Sequence, residues 1–251
     1  PEAIAFSFIA GVSPIIGLWS AVFVGFITAA FGGRPGMICG ATGAIAIVAA
    51  QAFQLGAATG IEGMDYKYLF IALIMAGVIQ TTIGLCKLGR LIRLVPHPVM
   101  MGFVNGLAVV IALGQLTFFK TGDGSWLTGS SMAMMIGLVA LTMAIVVFLP
   151  KLTKAVPPSL IAILAVGLAT YFGVVDGRTV ADVLESNTGS RTIDTNFPTF
   201  QGGLLAGVTF DWAFWKGILP ISITIAIVGL IESLLTLQLI DEITDSRGKS
   251  N

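Results

Sequence analysis

The sequence predicts an all-α membrane protein of about eight helical segments, with the third segment broken. Three observations carry that prediction. Of 251 residues, 56% are hydrophobic and only 10% are charged, against roughly 25% charged in ordinary soluble domains; mean hydropathy is +0.96. The apolar residues gather in segments, most of them near the ~20 residues that a spanning helix needs: 1–10, 15–33, 38–54, 68–86, 94–116, 131–149, 157–174 and 214–240. The basic residues collect in alternate connections between those segments.

The first segment is too short to span and reads as the second half of a helix, so the chain is expected to be part of a longer protein. The second is a continuous apolar run. The third is punctuated in its first half by Pro35, Gly36, Gly40 and Gly43 and becomes a good helix former only from Ala44 onward. An extended entry followed by a half-helix from about Thr42 and Gly43 is expected. A helix that starts inside the bilayer exposes free N–H groups and a positive dipole end there. Small residues let an anion approach that backbone. The same small residues would equally suit a helix-packing face. Segments four to seven are ordinary apolar helices by length and composition. The stretch 175–211 is the longest polar connection, with Asp176, Asp182, Glu185 and Asp194; it reads as an extramembrane loop with a short helix at about residues 180–184.

The eighth segment holds Glu232 within an apolar run. A carboxylate at the centre of a membrane helix costs roughly 2.5–3.5 kcal/mol on insertion scales. It therefore marks either a binding or coupling site or a structural hydrogen bond to a neighbouring helix.

Orientation follows from charge. Arg34, then Lys87, Arg90 and Arg93, then Lys151 and Lys154, then Arg247 and Lys249 fall on one side if all eight segments alternate. Glu62, Asp65, Asp123, Asp176, Asp182, Glu185, Asp194 and Asp211 fall on the other. The positive-inside rule makes the first side cytoplasmic. Lys67, Lys120, Arg178, Arg191 and Lys216 dilute this pattern. Trp19, Trp126, Trp212 and Trp215 read as interfacial anchors. Cys39 and Cys86 read as small core residues, and His97 as a turn residue at the entry to the fifth segment. Net charge is zero, so no nucleic-acid partner is implied. The sequence holds no nucleophile–base pair or metal cluster that would suggest an enzyme.

Several motifs resemble the sulfate permease (SulP) family, which includes bacterial sulfate and bicarbonate transporters. They are PEAIAFSFIAGVSP (1–14), GLW (17–19), FGGRPG (31–36), GATG (40–43), LGRLIRLVPHPV (88–99) with GF (102–103), IESLLT (231–236) and TDSRGKSN (244–251). The resemblance covers the whole chain. It implies the first repeat of a seven-plus-seven inverted-repeat transporter fold, plus helix eight. It divides the chain into core helices 1–4 over residues 1–90, gate helices 5–7 over 91–175, an extracellular loop over 176–211, and core helix 8 with the start of a cytoplasmic loop over 212–251.

The resemblance also implies function. The protein would be a secondary transporter of a small inorganic anion, sulfate or bicarbonate, in the inner membrane of a bacterium, with Na+ or H+ as coupling ion and no other cofactor. It would form a homodimer when full length. Glu2, Phe6, Thr42, Gly43 and Ala44 match positions around the anion. Glu232 and Thr236, one turn apart on one helix face, match cation ligands. The family's sodium-coupled bicarbonate members carry Asp where this chain has Glu232, a departure that bears on sodium. Glu2 could instead carry a proton, or simply close the start of its helix. An uncoupled channel or exchanger of the same family, or a nucleobase carrier of the same architecture, are the other readings.

Overall fold

The computed structural model describes residues 2–32, 36–87, 97–121, 123–153, 155–173, 175, 177, 179–188, 192–193, 197–199 and 202–244. Arg34, Pro35, Arg90, Arg93, Pro96, Lys154, Asp176, Arg178, Arg191, Asp194 and the tail 245–251 lie outside them. Nine α-helices occur among the described residues: α1 (Glu2–Ala10), α2 (Pro14–Phe31), α3 (Gly43–Ala57), α4 (Met64–Leu85), α5 (His97–Gln115), α6 (Gly129–Leu152), α7 (Pro158–Tyr171), α8 (Val180–Thr188) and α9 (Trp212–Thr244). All eight apolar segments and the short polar helix thus appear, most of them within two or three residues of their expected starts. In the third, residues 38–42 are not helical and α3 begins at Gly43, in keeping with the expected extended entry.

Among the described residues, five helices are long and apolar enough to cross a membrane: Pro14–Phe31, Met64–Leu85, Met101–Phe119, Gly129–Leu152 and Trp212–Asp241. Gly43–Ala57 and Pro158–Tyr171 are shorter apolar helices. At ~1.5 Å per residue, a helix of 15 residues reaches only ~22 Å of a ~30 Å hydrocarbon core. α3 is therefore short by construction.

The chain divides into two compact units, Pro1–Gly114 with Thr195–Asn251, and Gln115–Asp194. In the first unit the core sets a seam of small residues among larger ones such as Tyr68, Leu69, Phe214 and Ile218. Ala46, Ala49 and Ala52 of α3, Ala72 and Ala76 of α4, and Ser222 and Ala226 of α9 are all buried. Small side chains let membrane helices approach closely and gain dispersion contacts where no hydrophobic drive operates. Glycines mark points of contact between α3 and α9. A Cβ at Gly217 would fall 2.6 Å from Leu55 Cδ2, and one at Gly229 would fall 3.4 Å from Ile45 Cδ1. Residue number rises along α3 as it falls along α9, so the two helices run antiparallel. α4 runs parallel to α9, as Tyr68 packs edge-on against Phe214 at 5.0 Å and Gln80 meets Ala226. Lys67 donates to the Ala206 carbonyl. That contact gives one of the basic residues on the acidic side a local structural role.

The second unit packs α6 against α7. Thr179 and Asp182 close the start of α8 reciprocally: Thr179 N and Oγ1 donate to Asp182 Oδ2 at 2.8 and 2.6 Å, and Asp182 N donates to Thr179 Oγ1 at 3.3 Å. This is a capping box with Asp in the third position.

Two expectations are corrected. Cys86 is exposed at the C-cap of α4, because the helix ends at Leu85 and the chain leaves the packed seam there. Trp19 is not a simple interfacial anchor. Its ring packs on Phe197 at 4.7 Å and Phe23 at 5.9 Å, and its indole Nε1 is buried without a hydrogen-bond partner.

Candidate functional site

The site grows from the start of α3. Gly36 has φ +97°, a backbone conformation open to glycine and strained for most other residues. Residues 37–42 are without regular structure, and Thr42 is extended at φ −121°, ψ 137°. Ala46 N then donates to Thr42 O at 3.1 Å, the first helical bond of α3. The N–H groups of residues 43–45 precede that bond and have no intrahelical acceptor. An N-cap threonine ordinarily accepts one of them. Thr42 does not, since its side chain makes no capping bond.

The Thr42 hydroxyl instead faces the Glu232 carboxylate across the α3–α9 seam. Thr42 Oγ1 and Glu232 Oε2 are both buried, and neither has a hydrogen-bond partner of ordinary geometry. Buried polar side-chain atoms are satisfied in the large majority of cases. Two orphans facing each other beside three free backbone N–H groups are therefore an unusual concentration of unmet polar capacity. Thr236 lies one turn further along α9, and its hydroxyl donates to Glu232 O at 3.0 Å. Its oxygen lone pairs stay available.

Apolar side chains wall the same point. A Cβ at Gly43 would fall 2.7 Å from Ile111 Cγ1 of α5 and 3.0 Å from Phe6 Cε1 of α1. Ala44 is buried behind it. A cavity of about 190 Å3 between α1, α2, α3 and α4 takes in Phe6, Ser7, Gly40, Ala41 and Thr42. Thr42 thus borders both the cavity and the carboxylate.

Of the residues expected from sequence, the structure gathers Phe6, Thr42, Gly43, Ala44 and Glu232 around the α3 N-terminus, with Thr236 one turn further along α9. Glu2 is not gathered there. It sits exposed in the first turn of α1 and does not line the cavity. Three participants were not anticipated: Ile111, Gln80 and Gly229. Ile111 is one of many aliphatic residues in its helix and carries no sequence signal. Gln80 does carry one, as an amide within the apolar span of α4. Among the described residues there is no group of three or more His, Cys, Asp or Glu side chains suited to a metal ion.

Such a fold and site define a class: a helical membrane protein in which a short helix, entered from extended chain, starts uncapped beside a carboxylate carried by a long apolar helix. The chain belongs to the sulfate permease family, which it matches over residues 1–251. It is 41% identical to a putative sulfate transporter, YbaR of Bacillus subtilis, over 100% of this chain and 47% of that protein. It is 31% identical to the bicarbonate transporter BicA of Picosynechococcus over 100% of this chain and 45% of that protein. The chain therefore spans about half the length of these curated relatives. Its fold is similar to the solved transmembrane domain of a cyanobacterial BicA, with a TM-score of 0.75 at 26% identity, covering 99% of this chain and 63% of that one.

Proposed function

We propose that the protein is a secondary carrier of a small inorganic anion, sulfate or bicarbonate, coupled to sodium or protons. The observation that carries this reading is the pair of buried, unpartnered oxygens, Thr42 Oγ1 and Glu232 Oε2, beside the uncapped N-terminus of α3. The free N–H groups of residues 43–45 would meet the anion's charge, with Phe6 and Ile111 excluding water from one side. Backbone dipoles suit this role because they attract an anion without a fixed cation that would hold it too tightly for release.

Glu232 and Thr236 would hold the coupling cation. A cation at Glu232 supplies the counter-charge that an anion beside it needs, so each would raise the affinity for the other. That mutual dependence is coupling. In this reading residues 1–90 and 212–251 belong to a core that moves against helices 5–7 of residues 91–175, and the protein works as a homodimer. The family names of the relatives, sulfate and bicarbonate transporters, support the choice of anions.

The test is initial uptake of labelled sulfate and of labelled bicarbonate by the intact protein in vesicles, with sodium varied against choline and pH varied independently. Uptake of one of the two anions that rises with sodium or with protons supports the reading. Uptake of neither, with the protein present and folded, refutes it.

A further inference from the structure

Gln80 lies one helix away from the proposed site. Its Nε2 donates to the Ala226 carbonyl of α9 at 3.1 Å. That carbonyl also accepts the ordinary helical bond of α9, so Gln80 is an added constraint between two helices. The space for it exists because residue 229 is glycine. A Cβ there would fall 2.7 Å from Gln80 Nε2, and Gly229 is itself buried. Ile45 of α3 closes the third side of the same point.

The position matters more than the bond. Glu232 follows Gly229 by three residues, and Thr42 precedes Ile45 by three. Residues three apart share a helix face. The Gln80–Gly229–Ile45 node and the Glu232–Thr42 pair are therefore adjacent layers of one antiparallel seam. The hydrogen bond ties α9 to α4 at Ala226, and Gly229, one turn before the carboxylate, leaves room for it. The aromatic contact between α4 and α9, Tyr68 on Phe214, lies twelve residues earlier on each helix. Without Gln80, the register near Glu232 would rest on apolar packing, which is non-directional.

We propose that Gln80 is a positioning residue for the proposed cation site, holding Glu232 against Thr42 through α9 without touching any ion. This rests on the reading above for its transport readout, but its geometry can be tested separately. In the intact protein with Cys39 and Cys86 replaced by serine, Thr42→Cys with Glu232→Cys should cross-link under mild oxidation. Adding Gln80→Met, which keeps length and apolar bulk but removes the donor, should slow that cross-linking severalfold. The Leu55→Cys with Gly217→Cys pair, at the far end of the seam, should be unaffected by Gln80→Met.

In the protein with Thr42 and Glu232 intact, Gln80→Met should raise the half-saturating cation concentration by about tenfold, as supporting residues around metal sites do. The uptake rate at saturating cation should be retained. Gly229→Ala should mimic Gln80→Met, and the double variant should be no worse than either single one.

Cross-linking between positions 42 and 232 that is as fast with Gln80→Met as without it would overturn the inference, as would failure of that pair to cross-link at all. A fall in uptake rate with unchanged cation dependence would reduce Gln80 to a structural residue and overturn it too. Wild-type uptake that ignores every cation, together with Gln80-dependent cross-linking, would refute the coupling and leave the positioning intact.

Discussion

Glu232 and Thr42 are unsatisfied in the same place for different reasons, and single substitutions separate them. Glu232→Gln keeps shape and hydrogen-bonding capacity and removes the charge. If the carboxylate holds a cation, uptake should fall at least tenfold and lose its dependence on sodium and protons, at matched amounts of folded protein. If it were structural, the amide would preserve activity and could stabilise the fold, since a buried neutral group costs less than an unpaired buried charge. Initial uptake rates across sodium concentration and pH decide between the two. Thr42→Val makes a complementary case. Loss of a working N-cap costs ~0.5–2 kcal/mol, but Thr42 caps nothing. Valine should therefore leave the unfolding midpoint within about a degree or two of wild type, or raise it, because an unpaired buried hydroxyl is removed. Uptake should nevertheless fall. A midpoint loss with normal uptake would make Thr42 a structural cap after all.

At the scale of elements, what decides the site is how closely helices approach, and glycine records it. Gly56 sits where α3 ends against the start of α4. A Cβ there would fall 2.7 Å from Asp65 Cα and 2.8 Å from Asp65 N. Both are backbone atoms that cannot rotate away. Gly56→Ala should cost ~1–3 kcal/mol as an overpacked contact, read as a lower unfolding midpoint in detergent. Gly25→Ala, in the middle of α2 with nothing within 4 Å, should be neutral or gain ~0.5–1 kcal/mol from helix propensity. Equal effects at the two positions would refute the close packing of α3 on α4. This contrast also explains what the sequence could and could not carry. The break before α3 was legible, because Pro35, Gly36, Gly40 and Gly43 precede an alanine-rich helix former and backbone preference is local. Glu232 was legible because a charge inside an apolar run is costly wherever it points. The seam between α3 and α9 was not legible. Register depends on which of many small residues meet, and 31 glycines give no ranking among themselves. The exposure of Glu2 was hidden for the same reason: its helix was evident, but the face it presents is set by partners far along the chain. The Gln80–Ala226 hydrogen bond was hidden too, because its partners stand 146 residues apart.

At the scale of the whole molecule, the outer surface and the loops together fix how the chain lies in a bilayer. Phe26 is 71% exposed on α2 and Leu152 is 83% exposed at the end of α6, and α6 buries none of its apolar window although its hydropathy is 2.7. Water is a poor solvent for such faces; lipid or further apolar helices are their fitting surroundings. Sidedness then turns on charge. Lysine and arginine near helix ends are retained in the cytoplasm, whereas acidic residues contribute little to orientation. The connections 87–93, 151–155 and 245–251 should be cytoplasmic, and 55–66, 120–129 and 176–211 external. Two positions of the second unit make the sharpest test, because α7 separates them: Leu152 at the end of α6, and Thr188 at the end of α8. In a background with Cys39 and Cys86 replaced by serine, a membrane-impermeant maleimide added outside intact cells should label Thr188→Cys strongly and Leu152→Cys only after the membrane is opened. Labelling of both from outside would mean that α7, only 14 residues long, does not cross. Labelling of Leu152→Cys alone would invert the protein, placing the entry to α3 on the external side and reversing the direction from which the Thr42–Glu232 site is reached.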